Sequence, residues 1–127
     1  MPAVLVVEDN EMNQMLLVRQ LQRLGITDVA LASNGIEALE WLATHDCALV
    51  IADCQMPGMD GYEMTRRIRE SEKATGQHLP IIAVTASAMD DDRDRCAAAG
   101  MDAHLAKPLQ IAALRDLLRP WLPPEHA

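Results

Sequence analysis

The sequence predicts an α/β fold in which one doubly wound parallel sheet of five strands carries five helices on its two faces. Apolar runs rich in Val, Ile, Leu and Ala alternate with helical patterns five times along the 127 residues. Several of these runs are apolar throughout, as expected of strands that are buried on both sides. The length fits a single domain, which we expect at residues 1–122, followed by a flexible C-terminal tail at 123–127.

The first half of the chain holds three predicted strands, at residues 3–7, 26–31 and 48–52. Between the first two strands, apolar residues recur at helical spacing and predict a first helix that ends at Gly25, where glycine suits a C-terminal cap. Asn34 is the predicted N-cap of the second helix, because its side-chain oxygen can accept a backbone N–H. The apolar residues predicted on the core faces of these helices are Met12, Met15, Leu16, Leu21, Leu24, Ile36, Leu39 and Leu42.

The second half of the chain continues the alternation of helices and strands. A turn rich in Pro and Gly precedes a predicted third helix at residues 61–72. Strands are predicted at 79–84 and 103–106, with a fourth helix at 87–99 between them. A last helix is predicted from an apolar face at 111–121.

The net charge and the cysteine content of the chain limit the kinds of partner and the cellular compartment that we expect. The net charge of -8 argues against nucleic-acid backbones and anionic membranes as direct partners. Cys47, Cys54 and Cys96 form an odd set without CxxC spacing, which indicates reduced thiols in a cytoplasmic protein, and no apolar run is long enough to cross a bilayer. Because Phe is absent, the eight Met residues are expected as core filler, except for Met56 and Met59 in an exposed loop.

The residues that end the predicted strands form an unusual set. Glu8 and Asp9 follow the first strand, Asp53 the third, Thr85 the fourth and Lys107 the fifth. In open parallel sheets, functional groups gather at the carboxyl ends of the strands. Three carboxylates, a hydroxyl and an ammonium are therefore predicted to converge at one edge, a combination that folding alone does not require.

This combination suits phosphoryl transfer to a carboxylate. Carboxylates brought close together repel unless a cation neutralises them, and hard oxygen ligands favour Mg²⁺, with Mn²⁺ as an alternative. Lys107 offers a positive charge for an anion, and Thr85 offers a hydrogen-bond donor. Asp53 is the candidate nucleophile that would attack phosphorus and become an acyl phosphate, a reaction that depends mainly on positioning and charge neutralisation.

Four segments carry a family likeness: residues 4–10 (VLVVEDN), 53–61 (DCQMPGMDG), 84–86 (VTA) and 107–108 (KP). In order and spacing they closely resemble the receiver domains of response regulators, which act in two-component signalling. The resemblance covers about residues 3–121 and implies a flavodoxin-like sheet with strand order 2-1-3-4-5. Residues 8–14 (EDNEMNQ) and 101–108 (MDAHLAKP) look most like receivers attached to hybrid histidine kinases.

The resemblance implies a role in metal binding for four residues. Asp53 matches the phosphoacceptor, which also touches the metal, and Asp9 matches the direct Mg²⁺ ligand beside it. Glu8 matches the acid that holds the metal through water. The backbone carbonyl of Gln55 is expected to supply the third protein ligand.

The resemblance also implies how the phosphoryl group is held and sensed. Thr85 matches the switching hydroxyl and Lys107 the phosphate-binding ammonium, while the backbone N–H of Ala86 is expected to reach the phosphoryl oxygens. The bond between Lys107 and Pro108 is expected to be cis. One position departs from the family: His104 stands where Tyr or Phe is usual. Either it replaces the ring without a pH role, or its protonation biases the active state.

We therefore predict a phosphoacceptor receiver domain of a phosphorelay, in which Asp53 takes a phosphoryl group from phosphohistidine in a Mg²⁺-dependent reaction. The expected donor is a histidine kinase transmitter or a histidine phosphotransfer domain, without contact to nucleic acid or membrane. The preferred interpretation is a domain cut from a hybrid histidine kinase, and the alternative is a stand-alone relay protein. The output surface, which is also a candidate interface for a transient dimer, is expected at residues 87–121.

Two other functions are weaker. An interaction domain with vestigial phosphorylation is disfavoured, because the set of acids, Thr85 and Lys107 is complete. A phosphatase that works through an aspartyl-phosphate typically has a second acid two residues after the nucleophile, and here that residue is Gln55. The domain is thus predicted not to be an enzyme, although it promotes its own phosphorylation and dephosphorylation at rates that Gln55 and Ser87 are expected to tune.

Overall fold

The computed structural model describes residues 3–54, 56, 58–85, 90–107 and 109–122. Five parallel strands form one sheet in the order β2-β1-β3-β4-β5, which confirms the predicted fold class and strand order. The strands are Ala3–Val7 (β1), Val29–Ala32 (β2), Cys47–Asp53 (β3), Ile81–Thr85 (β4) and Ala103–Ala106 (β5). The helices are Glu11–Arg23 (α1), Gly35–Leu42 (α2), Gly61–Glu72 (α3), Asp90–Ala99 (α4) and Ile111–Leu118 (α5), with a 3₁₀ turn at Arg119–Trp121. The tail predicted at 123–127 lies outside the described residues.

Helices cover both faces of the sheet, as predicted. On one face α2, α3 and α4 pack against alternate strand residues such as Leu5 and Val50. On the other face α1 and α5 pack against the residues in between, such as Val4 and Leu49. Because successive side chains of a strand point to opposite faces, an uninterrupted apolar strand contributes to both cores.

The end of α1 explains why β2 begins later than predicted. Gly25 has a φ of 91°, and the N–H of Ile26 donates to the carbonyl of Leu21 at 2.9 Å. This is a Schellman closure, and the buried Ile26 packs at the end of the helix. The strand predicted at 26–31 is therefore observed only at Val29–Ala32.

The start of β4 also differs from the prediction of 79–84. Leu79 donates its N–H to the carboxylate of Glu72 and accepts a hydrogen bond from Arg69 on its carbonyl. Its polar groups are therefore bonded to side chains of α3, and the next residue, Pro80, has no N–H to donate. The strand begins at Ile81 and includes Thr85.

The predicted core face of α1 is wrong for three residues. The α1 apolar patch, as we call it, consists of Met12, Met15 and Leu16, which are 72%, 57% and 54% exposed. The helix instead buries Gln14, Leu17 and Leu21, because the amide of Gln14 donates to the carbonyl of Glu8 and turns this side of the helix inward. The expectations for Ile36 and Met56 are also wrong, since Ile36 is 50% exposed and Met56 is buried.

Two expectations from composition can be compared with the structure. The three cysteines are free; Cys54 and Cys96 are buried and Cys47 is half-buried. Within the described residues, no helix has both the length and the apolar character that a membrane crossing needs.

Candidate functional site

The carboxyl ends of β1 and β3 bring three carboxylates together. Glu8 and Asp9 directly follow β1, and Asp53 is the last residue of β3. One oxygen from each of the three lies within 4.8 Å of the others. The two strands are paired neighbours, so the acids at their ends meet as the sheet topology requires. Glu8 and Asp53 are buried, whereas Asp9 is exposed.

Lys107, directly after β5, brings a positive charge to the acids. Its Nζ lies 2.8 Å from Oδ2 of Asp53 and 3.5 Å from Oε2 of Glu8. The backbone N–H of Lys107 donates to the carbonyl of Thr85 at 2.7 Å, which extends the ladder between β4 and β5 toward the site. Burial lowers the pKa of Lys107, but the hydrogen bond and charge of Asp53, together with Glu8, raise it overall. The side chain therefore stays an ammonium.

Glu8 is held from the start of α1. Its Oε1 accepts the backbone N–H of Asn10 at 3.2 Å and the side-chain amide of Asn13 at 3.1 Å. Burial raises the pKa of Glu8, and the hydrogen bond to Asp53 and the negative charge of that group raise it further. Asn13 and Lys107 oppose the rise without cancelling it. The neutral form of Glu8 is therefore favoured more than in water, beside an ammonium that Glu8 shares with Asp53.

The donor set fits a hard divalent cation. All three clustered ligands are carboxylates, and the exposed Asp9 leaves one side accessible to water. Mg²⁺ favours oxygen ligands and keeps several waters, whereas softer metals favour sulfur or imidazole.

A close approach of α3 fixes the end of β3. The N–H of Gly61 donates to the carbonyl of Cys54 at 3.3 Å. A Cβ at position 61 would lie 2.6 Å from the carbonyl oxygen of Asp53, so glycine is required for this contact. The sequence indicated Gly61 only as part of a turn. A glycine at the first position of a predicted helix was a signal that could have indicated this close contact.

Thr85 is the last residue of β4, and its side chain is hydrogen bonded to His104 in β5. The two atoms, Oγ1 of Thr85 and Nε2 of His104, are 2.7 Å apart. The strand register pairs Ala83 with His104 and Thr85 with Ala106, so both side chains point to the face that α4 covers. The sequence indicated both residues as switch positions but did not indicate a direct bond between them.

A cleft of about 500 Å³ leads from the surface to this cluster. It is lined by Asp53, Glu8 and Lys107 on its polar side and by apolar residues that include Leu16 and Leu109. Leu16 also belongs to the α1 apolar patch, so the patch adjoins the mouth of the cleft.

Several predicted site residues lie outside the described part of the chain. They are Gln55, Ala86, Ser87 and Pro108. Four roles that the sequence suggested at these positions therefore stay predictions. They are the metal-binding carbonyl, the phosphoryl-binding N–H, the tuning of dephosphorylation and the cis bond.

Comparisons with a family model and with curated proteins agree on one family. The family described as "Response regulator receiver domain" matches residues 4–119. Among curated proteins, the hybrid signal transduction protein dokA of Dictyostelium discoideum is 43% identical over 94% of the chain. The virulence sensor protein BvgS of Bordetella bronchiseptica is 48% identical over 91% of the chain. The chain spans only 7% and 10% of the length of these two relatives.

Solved structures agree with this assignment. The receiver domain of a sensor histidine kinase from Pseudomonas aeruginosa is 40% identical, with a TM-score of 0.82 and coverage of 94% of this chain and 96% of that one. It was crystallised with a magnesium ion coordinated in the active-site cleft. The receiver domain of a Saccharomyces cerevisiae response regulator is 32% identical, with a TM-score of 0.83 and coverage of 92% and 86%. That domain was crystallised with a histidine phosphotransfer signalling protein.

Proposed function

The chain belongs to the response regulator receiver domain family, and we propose that Asp53 accepts a phosphoryl group from a phosphohistidine of a partner protein. The observation that carries this proposal is the contact of 2.8 Å between Asp53 and Lys107 inside a cluster of three carboxylates. A buried carboxylate at the bottom of an open cleft, beside a cation, is suited to attack an anionic phosphoryl group. No stable fold needs this excess of acid at one strand edge.

The proposed transfer is a single displacement. A carboxylate oxygen of Asp53 attacks phosphorus, the P–N bond of phosphohistidine breaks, and its electron pair returns to the imidazole nitrogen of the donor. The ammonium of Lys107 then shifts its attraction from the carboxylate to the phosphoryl oxygens. The hydroxyl of Thr85 and the N–H of Ala86 are proposed as hydrogen-bond donors to the same oxygens.

We also propose that Glu8, Asp9 and Asp53, with the carbonyl of Gln55, hold Mg²⁺ for this reaction. The acidic oxygen set supports this, as does the magnesium ion in the Pseudomonas aeruginosa relative. When bound, the ion supplies positive charge that neutralises the phosphoryl oxygens. Mn²⁺ is an alternative, since it accepts the same oxygen ligands.

Phosphodonor labelling with mass spectrometry tests the acceptor. Wild-type protein with acetyl phosphate and Mg²⁺ is expected to gain the mass of one phosphoryl group, and Asp53→Asn to gain none. Asp28→Asn is the matched control, because Asp28 is an exposed aspartate at the amino edge of the sheet and its loss leaves labelling unchanged. Equal labelling of wild type and Asp53→Asn would overturn the proposal.

The α1 apolar patch supports a protein donor of a particular kind. Asp53 is 8% exposed, so the histidine ring of the donor must enter the cleft, and the donor surface must cover its rim. Leu16 on α1 lines this cleft and is 54% exposed, and the exposed Met12 and Met15 lie on the same helix. We infer that a histidine phosphotransfer domain docks there, as an apolar contact that brings its histidine to Asp53. The yeast receiver that was crystallised with such a protein supports this choice.

Substitution in the patch separates docking from chemistry. Met15→Glu is expected to slow phosphoryl transfer from a phosphorylated histidine phosphotransfer protein by about tenfold, the effect of losing one well-packed apolar contact. It leaves labelling by acetyl phosphate unchanged, because a small donor needs no docking surface. Leu31→Glu is the control, since Leu31 is 49% exposed on the edge strand β2. Equal slowing with both donors would contradict the docking site.

For the whole protein we propose a cytoplasmic hybrid histidine kinase in which this domain receives and passes on phosphoryl groups. The hybrid kinases among the relatives and the free thiols of the chain support that view. Phosphorylation would shift the population between two states through Thr85 and His104 and alter the output surface proposed at residues 87–121, which is also the proposed dimer contact. The domain would act as a signalling acceptor and not as an independent enzyme.

A further inference from the structure

The contact between Thr85 and His104 restricts how the switch hydroxyl can be used. Oγ1 of Thr85 and Nε2 of His104 lie 2.7 Å apart, and the Thr85 side chain is buried. A hydroxyl has one proton to donate and lone pairs to accept with, whereas Nε2 either donates or accepts, depending on where the imidazole carries its hydrogen. The direction of this bond is therefore set by His104.

The phosphoryl group proposed on Asp53 imposes a second condition. Its oxygens have only lone pairs to offer, so Thr85 must donate its single proton to reach them. If Nε2 carries no hydrogen, it takes that same proton, and Thr85 cannot serve both partners. If Nε2 carries a hydrogen, it donates to Oγ1 and leaves the hydroxyl proton for the phosphoryl oxygen.

The strand arrangement brings the two ends of this proposed chain of bonds to neighbouring strand ends. Thr85 and Asp53 are at the ends of neighbouring strands, and Asp53 pairs with Val84 in the register. Lys107 bridges the two, since its backbone N–H binds the Thr85 carbonyl and its Nζ binds Asp53. Hydrogen bonds that run in one direction polarise each other, so each bond in such a chain strengthens the next.

We propose that His104 is a positioning residue for the Thr85 hydroxyl: in the phosphorylated domain, Nε2–H of His104 donates to Oγ1 of Thr85, which donates to a phosphoryl oxygen on Asp53. This inference rests on the proposed phosphorylation of Asp53. It makes the imidazole a partner in sensing the phosphoryl group and not only a ring that fills space beside β4. The direction of the bond, and not the size of the side chain, is the property that matters.

Imidazole ¹⁵N NMR of the full chain tests the direction of the bond. The probe is beryllofluoride with Mg²⁺, which stands in for the phosphoryl group, and the His104 resonances are assigned by their loss in His104→Gln. In the complex, Nε2 of His104 is expected to carry a hydrogen. An Nε2 without hydrogen in the complex overturns the relay. Wild-type protein that takes up no beryllofluoride, as seen by ¹⁹F NMR, overturns the proposed function and the relay with it.

Matched variants separate the hydrogen bond from the ring. His104→Phe keeps an aromatic ring without a donor, and its apparent Kd for beryllofluoride is expected to rise by about three- to tenfold, the range for one lost hydrogen bond. His104→Gln retains an N–H donor and is expected to stay within about twofold of wild type. Urea unfolding of each variant establishes that it is folded.

A double-mutant cycle tests whether His104 acts through Thr85. Thr85→Val alone is expected to weaken beryllofluoride binding, and adding His104→Phe to it is expected to change little more, because both substitutions remove the same chain of bonds. Independent, multiplying effects of the two substitutions would show that His104 does not act through Thr85. A Gln variant as weak as the Phe variant would likewise reject the role of the donor.

Discussion

Two charged clusters lie at opposite ends of the strands and differ in how their acids are paired with basic side chains. The acceptor cluster at the carboxyl edge consists of Glu8, Asp9, Asp53 and Lys107. The brace cluster at the amino edge consists of Arg69, Glu72, His78 and Asp102. Both bring charged side chains from several elements together, yet they differ in what they leave unbalanced.

In the brace cluster, the central cation, Arg69, makes four hydrogen bonds. The guanidinium of Arg69 donates to Glu72 at 2.7 Å, to Asp102 at 2.8 Å, and to the carbonyls of Leu79 at 2.8 Å and Gly100 at 2.9 Å. Asp102 also accepts the N–H of Ile81 at 2.8 Å. The cluster therefore ties α3 to the start of β4 and to the turn before β5, and both of its acids form ion pairs with Arg69.

In the acceptor cluster, three carboxylates share one ammonium. Burial raises the pKa of Glu8, and the hydrogen bond to Asp53 and the negative charge of that group raise it by more than Asn13 and Lys107 lower it. Both acids of the brace cluster are paired with Arg69, whereas the acceptor cluster holds more carboxylates than one ammonium can pair, as expected of a cluster suited to a cation.

The largest effect is expected from the brace cluster. Arg69→Met should lower the free energy of unfolding by about 3 kcal/mol, because two carboxylates and two backbone carbonyls lose their donor. Urea denaturation measures this. Arg67→Met is the control, since Arg67 is 59% exposed and pairs with Glu63 in a surface salt bridge; its loss should cost less than about 1 kcal/mol. Similar losses in both variants would mean that the brace contributes no more than a surface pair.

Mg²⁺ is expected to act on the acceptor cluster alone. At a free concentration of one hundred times its Kd, the ion should raise the free energy of unfolding of the wild type by about 2.7 kcal/mol relative to protein in EDTA. Asp9→Asn should lose most of this gain, because it removes a proposed direct ligand, whereas Arg69→Met should keep it. Chemical denaturation with and without Mg²⁺ gives the comparison, and a full gain in Asp9→Asn would contradict the proposed ligand set.

The smallest effect is a pH dependence in metal-free protein. The folded state raises the pKa of Glu8 above its ordinary value of 4.5, so the contribution of this group to stability is present below that pH and is lost as pH rises through the raised value. Glu8→Gln, which cannot ionise, should therefore be more stable than wild type at neutral pH and similar to it at pH below the ordinary value. The gain should be smaller than the Mg²⁺ effect. Unfolding curves in EDTA at the two pH values measure it, and equal stability at neutral pH would argue against an uncompensated charge.

The members of the acceptor cluster could be predicted from the sequence because each directly follows an apolar strand. Strand ends are local signals, and parallel strands bring their carboxyl ends to one edge by topology. The brace cluster was not predicted, although Arg69 and Glu72 are only three residues apart on α3. Asp102 joins them from 33 residues along the chain, and no local pattern specifies that distance.

The sequence by itself determined the order of strands and helices, the parallel sheet, and the acids, hydroxyl and ammonium at its carboxyl edge. These follow from periodicity and turn chemistry within a few residues. Only the tertiary structure decided which side of α1 is buried, why Gly61 is needed behind Asp53, and that His104 binds the Thr85 hydroxyl. Each of these depends on the packing of elements that are distant in the chain, where a rotation of a helix or a shift in register by one residue changes which atoms meet.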